Sequence, residues 1–230
     1  MQMNVMRLLS LVMVGTVAGC ATPKSGILVM AHGGDDAWNR DVEATVEPLR
    51  RHYPVEIAFG MARTSTLRDA VARLEQRGAK RIAVVRMFIS GESFVPETEY
   101  ILGLRSELPP ALHAAPAAAG ADHCAEKAEP IPVKASLVVS RDGVADSPLV
   151  DDILLDRARA LSTIPSQESV LILAHGPGDD AENERWLATM RLRSQRLQEA
   201  GGFKAVRSET LREDWPEKRG PAEKRIRDFV

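Results

Sequence analysis

Gly26-Ile27-Leu28-Val29-Met30-Ala31-His32-Gly33-Gly34-Asp35-Asp36 is the stretch that decides the fold. A continuous apolar run that ends in a histidine and two glycines reads as a buried strand closed by a tight turn. Asp35 or Asp36 then offers an N-cap to a helix whose apolar positions, Val42, Val46 and Leu49, keep helical spacing. The phrase returns as Ser169-Val170-Leu171-Ile172-Leu173-Ala174-His175-Gly176-Pro177-Gly178-Asp179-Asp180. A repeated strand–His–Gly–acid–helix unit predicts two related halves, with a histidine at the mouth of each.

Working outward, strands are expected at 55–59, 81–89, 134–139 and 203–208. Helices are expected at 65–77, 96–107, 148–161, 180–200 and from about 216. On helix 148–161 the spacing turns Leu149, Ile153, Leu154 and Ala158 inward. Strands separated by single helices imply an α/β fold of parallel sheets with right-handed crossovers. Such sheets bind ligands at the carboxyl ends of their strands, where both histidines fall.

The expected domains are 26–162 and 169–230. The second is expected to be truncated, because the helix ending at Val230 has no strand after it, unlike helix 65–77. Residues 107–133 are rich in Ala and Pro and read as a long loop holding His113, His123 and Cys124. Two readings of that loop stand side by side: a flexible metal-capture segment and a permissive surface insertion.

Residues 1–20 read as a signal peptide rather than as part of the fold. Arg7 precedes an apolar run, Leu8 to Ala18, too short to span a bilayer. Val17-Ala18-Gly19-Cys20 looks like a bacterial lipobox, so Cys20 is the expected lipidation site. The protein is then a membrane-anchored lipoprotein, periplasmic or otherwise extracytoplasmic. The formal charge is −2, and −3 once the Arg7 charge leaves. No basic excess points to nucleic acid. With Cys20 lipidated, Cys124 has no partner for a disulfide.

The strand tips point to metal chemistry. A neutral imidazole on a glycine turn suits an open divalent-metal site, which makes His32 and His175 candidate ligands. Asp36 is a candidate proton acceptor, its alternative role being to complement the helix dipole. Glu92, in Ile89-Ser90-Gly91-Glu92-Ser93-Phe94, is a candidate second ligand or general base. A different class, a serine hydrolase, would use Ser93 as nucleophile, but the closing glycine of a nucleophile elbow is replaced by Val95.

Three stretches carry a family resemblance: Ile27 to Gly33, Arg77-Gly78-Ala79-Lys80-Arg81-Ile82-Ala83-Val84-Val85, and Met87-Phe88-Ile89-Ser90-Gly91. Ser147 to Ala158 adds a late helix. Together they resemble the CbiX/SirB class of sirohydrochlorin chelatases. The resemblance implies two chelatase-like, flavodoxin-like domains and a reaction that inserts Co²⁺ or Fe²⁺ into a tetrapyrrole. The metal is then a substrate, and no organic cofactor is expected. It also implies metal binding by His32. The family's second histidine, just after the third-strand glycine, is replaced here by Glu92-Ser93-Phe94. Arg40, Arg63 and Arg86 are the candidate partners for the tetrapyrrole carboxylates. The alternative on the same scaffold is a non-catalytic metal- or tetrapyrrole-binding lipoprotein.

Overall fold

The computed structural model describes residues 24–107 and 126–230. Cys20, His113, His123 and Cys124 lie outside the described residues. β1 (Ser25–Ala31) pairs in parallel with β2 (Val55–Phe59) on one side and with β3 (Arg81–Met87) on the other. β4 (Ser136–Val139) pairs with β3, so the sheet order is β2-β1-β3-β4. The helices of this part are α1 (Asp36–Arg50), α2 (Thr64–Gln76) and α3 (Val95–Ile101). α4 (Leu149–Leu161) leads on to β5 (Ser169–Ala174), α5 (Asp180–Gly201), β6 (Ala205–Thr210) and α6 (Pro216–Phe229). β5 and β6 form a separate two-stranded parallel sheet. The architecture is α/β with parallel strands, as expected.

The larger sheet is packed on both faces, but unevenly. On one face Leu28, Met30, Ile82 and Val84 meet Leu67, Val71 and Leu74 of α2 in the main core. On the other, Val29 and Val55 close on Val46 of α1. α1 does not extend over β3, where Arg81, Ala83 and Val85 are exposed. β3 therefore alternates instead of being buried on both faces along its length.

Several boundaries differ from expectation for local reasons. α3 stops at Ile101, six residues early, because Gly103 takes a left-handed φ of 71° and Leu104 N–H turns back to Glu99 O at 2.8 Å. β3 ends at Met87, and Ile89 beyond it is half exposed. β6 begins two residues late, because Phe203 is buried against the end of α5; a side chain on Gly201 would strike its ring.

α4 is the largest departure. None of its residues is buried, and Leu149 and Ile153 are 70% and 52% exposed. Polar contacts tie this segment to α5, and Leu154, Leu155 and Ala158 are only partly buried. Arg193 Nη1 donates to Ser147 O (3.2 Å) and Asp151 Oδ2 (3.1 Å), and Arg159 Nη2 donates to Ala200 O (2.8 Å). Among the described residues, no helix is long and apolar enough to cross a membrane.

These packing differences are measurable. Leu74→Ala, at a fully buried position, is expected to cost about 2–5 kcal/mol in urea unfolding. Leu149→Ala is expected to change stability by no more than about 0.5 kcal/mol. A large loss from the second substitution would mean that α4 packs inward after all.

Candidate active site

His32 is the first residue past β1 and is exposed. Its Nδ1 lies 2.9 Å from Gly33 O. A carbonyl oxygen only accepts, so Nδ1 is the donor in this contact, and in the neutral ring the lone pair is then on Nε2. The turn is built for this. Gly33 has φ +82°, and the Asn39 side chain closes the loop by accepting from Gly34 N–H (3.1 Å) and donating to Gly34 O (3.2 Å). Asp35 is the N-cap of α1, accepting from Trp38 N–H at 2.8 Å. Asp36 stands exposed in the first turn, where its charge complements the helix dipole.

His175 follows β5 in the same way, and Gly176 has φ +83°. Asp179 is again the N-cap, accepting from Glu182 N–H at 2.7 Å. Here the turn is held from outside by Arg212, a buried residue of left-handed backbone (φ 53°). Its guanidinium donates to Pro177 O (2.8 Å), Gly178 O (2.5 Å) and Asp180 Oδ1 (2.7 Å). Lys218 Nζ binds the other Asp180 oxygen at 2.6 Å. Lys218, and then Arg212, hold the Asp180 carboxyl below its ordinary range.

The half-exposed His175 ring lies beside two acids. Nδ1 lies 3.0 Å from Glu213 Oε1 and Nε2 lies 3.3 Å from Asp214 Oδ2. The Trp215 ring is 5.6 Å away, centroid to centroid. His175 thus stands beside two carboxylates, where His32 bonds its own neighbouring carbonyl.

One cavity of about 770 Å³ joins the two histidines. All three tryptophans of the chain, Trp38, Trp186 and Trp215, line it, with Phe88 and Phe94. Arg193 is the one Lys or Arg among the described residues of its wall, and that cation is already engaged by α4. Glu92 lines a second cavity, about 680 Å³, to which His32 does not contribute. Both Glu92 oxygens accept from Arg185, at 2.6 Å to Nε and 2.6 Å to Nη2. That pairing raises the Arg185 pKa further. Glu92 is thus paired with Arg185 of α5, and it and His32 line different cavities. Among the described residues, no cluster of three or more His, Cys, Asp or Glu is poised to hold a metal.

Of the candidate arginines, none of Arg40, Arg63 and Arg86 lines either of these two cavities. Arg40 is exposed on α1. Arg63 precedes α2, 3.6 Å from Glu126. Arg86 is buried, and its guanidinium donates to Gly91 O (3.0 Å), Ser140 O (3.1 Å) and Ser93 O. Burial, and then the Arg141 charge, lower its pKa. Arg86 thus organises the loop after β3 and is not open to a ligand. Ser93 is buried, and among the described residues no histidine bonds its hydroxyl, so the hydrolase reading has no base.

Sequence reasoning missed Arg212 and the three tryptophans. Nothing in their spacing marks them; only the fold brings residues 38, 186 and 215 to one wall.

A protein-family model described as CbiX matches residues 26–159. Among solved structures, the chain is similar to SirB from Bacillus subtilis with Fe³⁺, at 17% identity and a TM-score of 0.56. That match covers 82% of this chain and 66% of the other, so the chain spans just under two thirds of its relative. It is also similar to DR2241 from Deinococcus radiodurans, whose structure is described as a multi-domain protein with structural similarity to chelatases and two additional novel domains. There the identity is 18% and the TM-score 0.48, over 83% of this chain and 39% of that one. No curated protein matches.

The role assigned to Arg86 is open to a direct check. Arg86→Met leaves three carbonyls without their donor and is expected to cost at least about 2 kcal/mol in thermal or urea unfolding. Arg40→Ala is expected to stay within about 0.5 kcal/mol of the parent.

Proposed function

The chain belongs to the CbiX family, and from that premise we propose that it inserts a divalent metal ion into a tetrapyrrole, in the cavity between its two units. His32 carries the reading. Its Nδ1–H is spent on Gly33 O, so the neutral ring offers Nε2 to a cation. A single imidazole binds a divalent ion weakly, which suits a metal that must be handed on. The macrocycle would lie in the cavity, its faces against the tryptophan rings. Sirohydrochlorin is the proposed macrocycle, and Co²⁺ or Fe²⁺ the proposed metal. The likeness of the two His-Gly turns, with φ of +82° and +83° and an Asp cap beyond each, supports a duplicated origin for the two units. We further propose that Cys20 is lipidated and tethers the protein to a membrane outside the cytoplasm.

A second reading, binding without turnover, draws on the engagement of Glu92 by Arg185, which leaves His32 without a carboxylate co-ligand. Absorbance spectra separate the two. Sirohydrochlorin and Co²⁺ incubated with the protein are expected to give multiple turnovers. One equivalent of complex and no more would select the binding reading. His32→Ala is expected to weaken Co²⁺ binding at least about tenfold and to abolish turnover with the far-ultraviolet circular dichroism unchanged. Undiminished metal affinity would place the site elsewhere.

Expressed with its leader, the protein is expected to partition into the detergent phase of Triton X-114, and Cys20→Ala to move it to the aqueous phase. A Cys20→Ala protein that stays with detergent would rule out the anchor.

A further inference from the structure

We propose that the free edge of β5 is a self-association surface, on which β5 of a second copy of this chain adds antiparallel about a two-fold axis. In a parallel strand successive residues send their N–H and C=O groups to opposite neighbours. The even-numbered residues of β5 face β6: at the two ends of the pairing, Glu168 O accepts from Lys204 N–H (2.9 Å) and Ala174 O accepts from Leu211 N–H (2.9 Å). Ser169, Leu171 and Leu173 therefore turn their main-chain groups the other way. Among the described residues, no strand and no backbone hydrogen bond reaches that side. β1, which precedes the other histidine turn, has β2 on one edge and β3 on the other, whereas β5 has β6 alone.

Sheet edges are ordinarily protected by charge, by proline or by shortness. The other edges of this chain follow that rule. β2 carries Glu56, β6 carries Arg207 and Glu209, and β4 has only four residues. β5 reads Ser-Val-Leu-Ile-Leu-Ala, six residues with neither a charge nor a proline. Glu168, the acid just before it, is held within its own copy, accepting from Ser162 Oγ and from the Thr163 and Ile164 N–H groups (2.9 Å each).

This lack of charge is what makes a second copy the fitting occupant. Across a two-fold axis a strand meets its own sequence, so a charge beside the axis would face its own kind. An axis at Leu171 sets Leu171 against itself, Ser169 against Leu173 of the second copy, and Val170 against its Ile172. In that register the residues with open main-chain groups, Ser169, Leu171 and Leu173, face one another and all of those groups are paired. Apolar side chains stand beside the edge. Leu173 is 49% exposed, and Val150 and Leu154 share a cavity wall with Ile172 and Leu173, which sets α4 next to β5. Leu149 and Ile153 of the same helix are the exposed residues noted above. Strand addition takes part of this apolar surface out of water.

Sedimentation equilibrium of the full chain in density-matched detergent, over a range of protein concentrations, tests the dimer. The parent is expected to sediment as a monomer–dimer equilibrium. Leu173→Lys is expected to weaken the dimer at least about tenfold, with the far-ultraviolet circular dichroism unchanged. Combining it with Ser169→Glu sets opposite charges across the axis and is expected to restore association; a merely structural effect of the lysine would not be rescued in this way. Ser169→Lys, at an exposed position, is expected to weaken the dimer as well and stands in should Leu173→Lys misfold. Hydrogen exchange at the Leu171 and Leu173 amides is expected to slow as the dimer forms. A parent that stays monomeric at every concentration overturns the proposal, as does a dimer unchanged by both lysine variants. Protection of the Leu171 amide in the monomer also overturns it, since the edge is then filled from within one chain. None of these readouts involves metal insertion, so a protein that never inserts metal leaves the dimer standing, and a monomer leaves the chelatase reading standing.

Discussion

β1 is hydrogen-bonded along both edges, and that double pairing determines where the chemistry stands. From Ile27 to Ala31 every residue has a partner in β2 and another in β3. Leu28 and Met30 are sealed beneath α2, and Val29 beneath α1. A strand held in this way cannot slip by one residue without turning its whole apolar set to the wrong face. The first side chain released from it is that of His32. Its position at the rim therefore follows from packing that lies entirely below it, and the glycine turn only has to bring the chain into α1 without covering the ring.

The two histidine turns show how one backbone device can serve different chemistry. Both begin with a left-handed glycine and end in an aspartate cap. The first closes on itself through Asn39, leaving the imidazole to bond its own neighbouring carbonyl. The second is closed by Arg212, brought in from the end of β6. That same segment carries Glu213 and Asp214, so the support of the turn and the acids around the ring arrive together. A histidine that bonds its own neighbouring carbonyl and a histidine beside two carboxylates are different reagents, although a similar phrase encodes both.

Much of this was legible from the chain. The apolar runs located the strands, and the Asp-Asp pairs marked the helix starts, though not which aspartate of each pair forms the cap. What escaped was tertiary. The alternation Ile82, Val84, Arg86 along β3 could have placed the arginine on the buried face, but loop carbonyls in need of a donor leave no trace in spacing. Glu92 looked available because its partner, Arg185, stands 93 positions away. On α4 the apolar stripe was real, but Arg193 and Arg159 tie the helix to α5 by charge and leave Leu149 and Ile153 in water. The thiol and imidazoles of 113–124 fall outside the described residues, so the metal-capture reading of that loop stands as an expectation.

The Glu92–Arg185 pair joins the loop after β3 to α5. Both side chains are about half exposed, which leaves this ion pair open to screening by dissolved ions, whereas the aliphatic core of the four-stranded sheet is not. Dissolved salt therefore weakens this link between the loop after β3 and α5 while leaving the packed apolar side chains untouched, so the loop's hold on α5 depends on the surrounding medium as much as on the polypeptide.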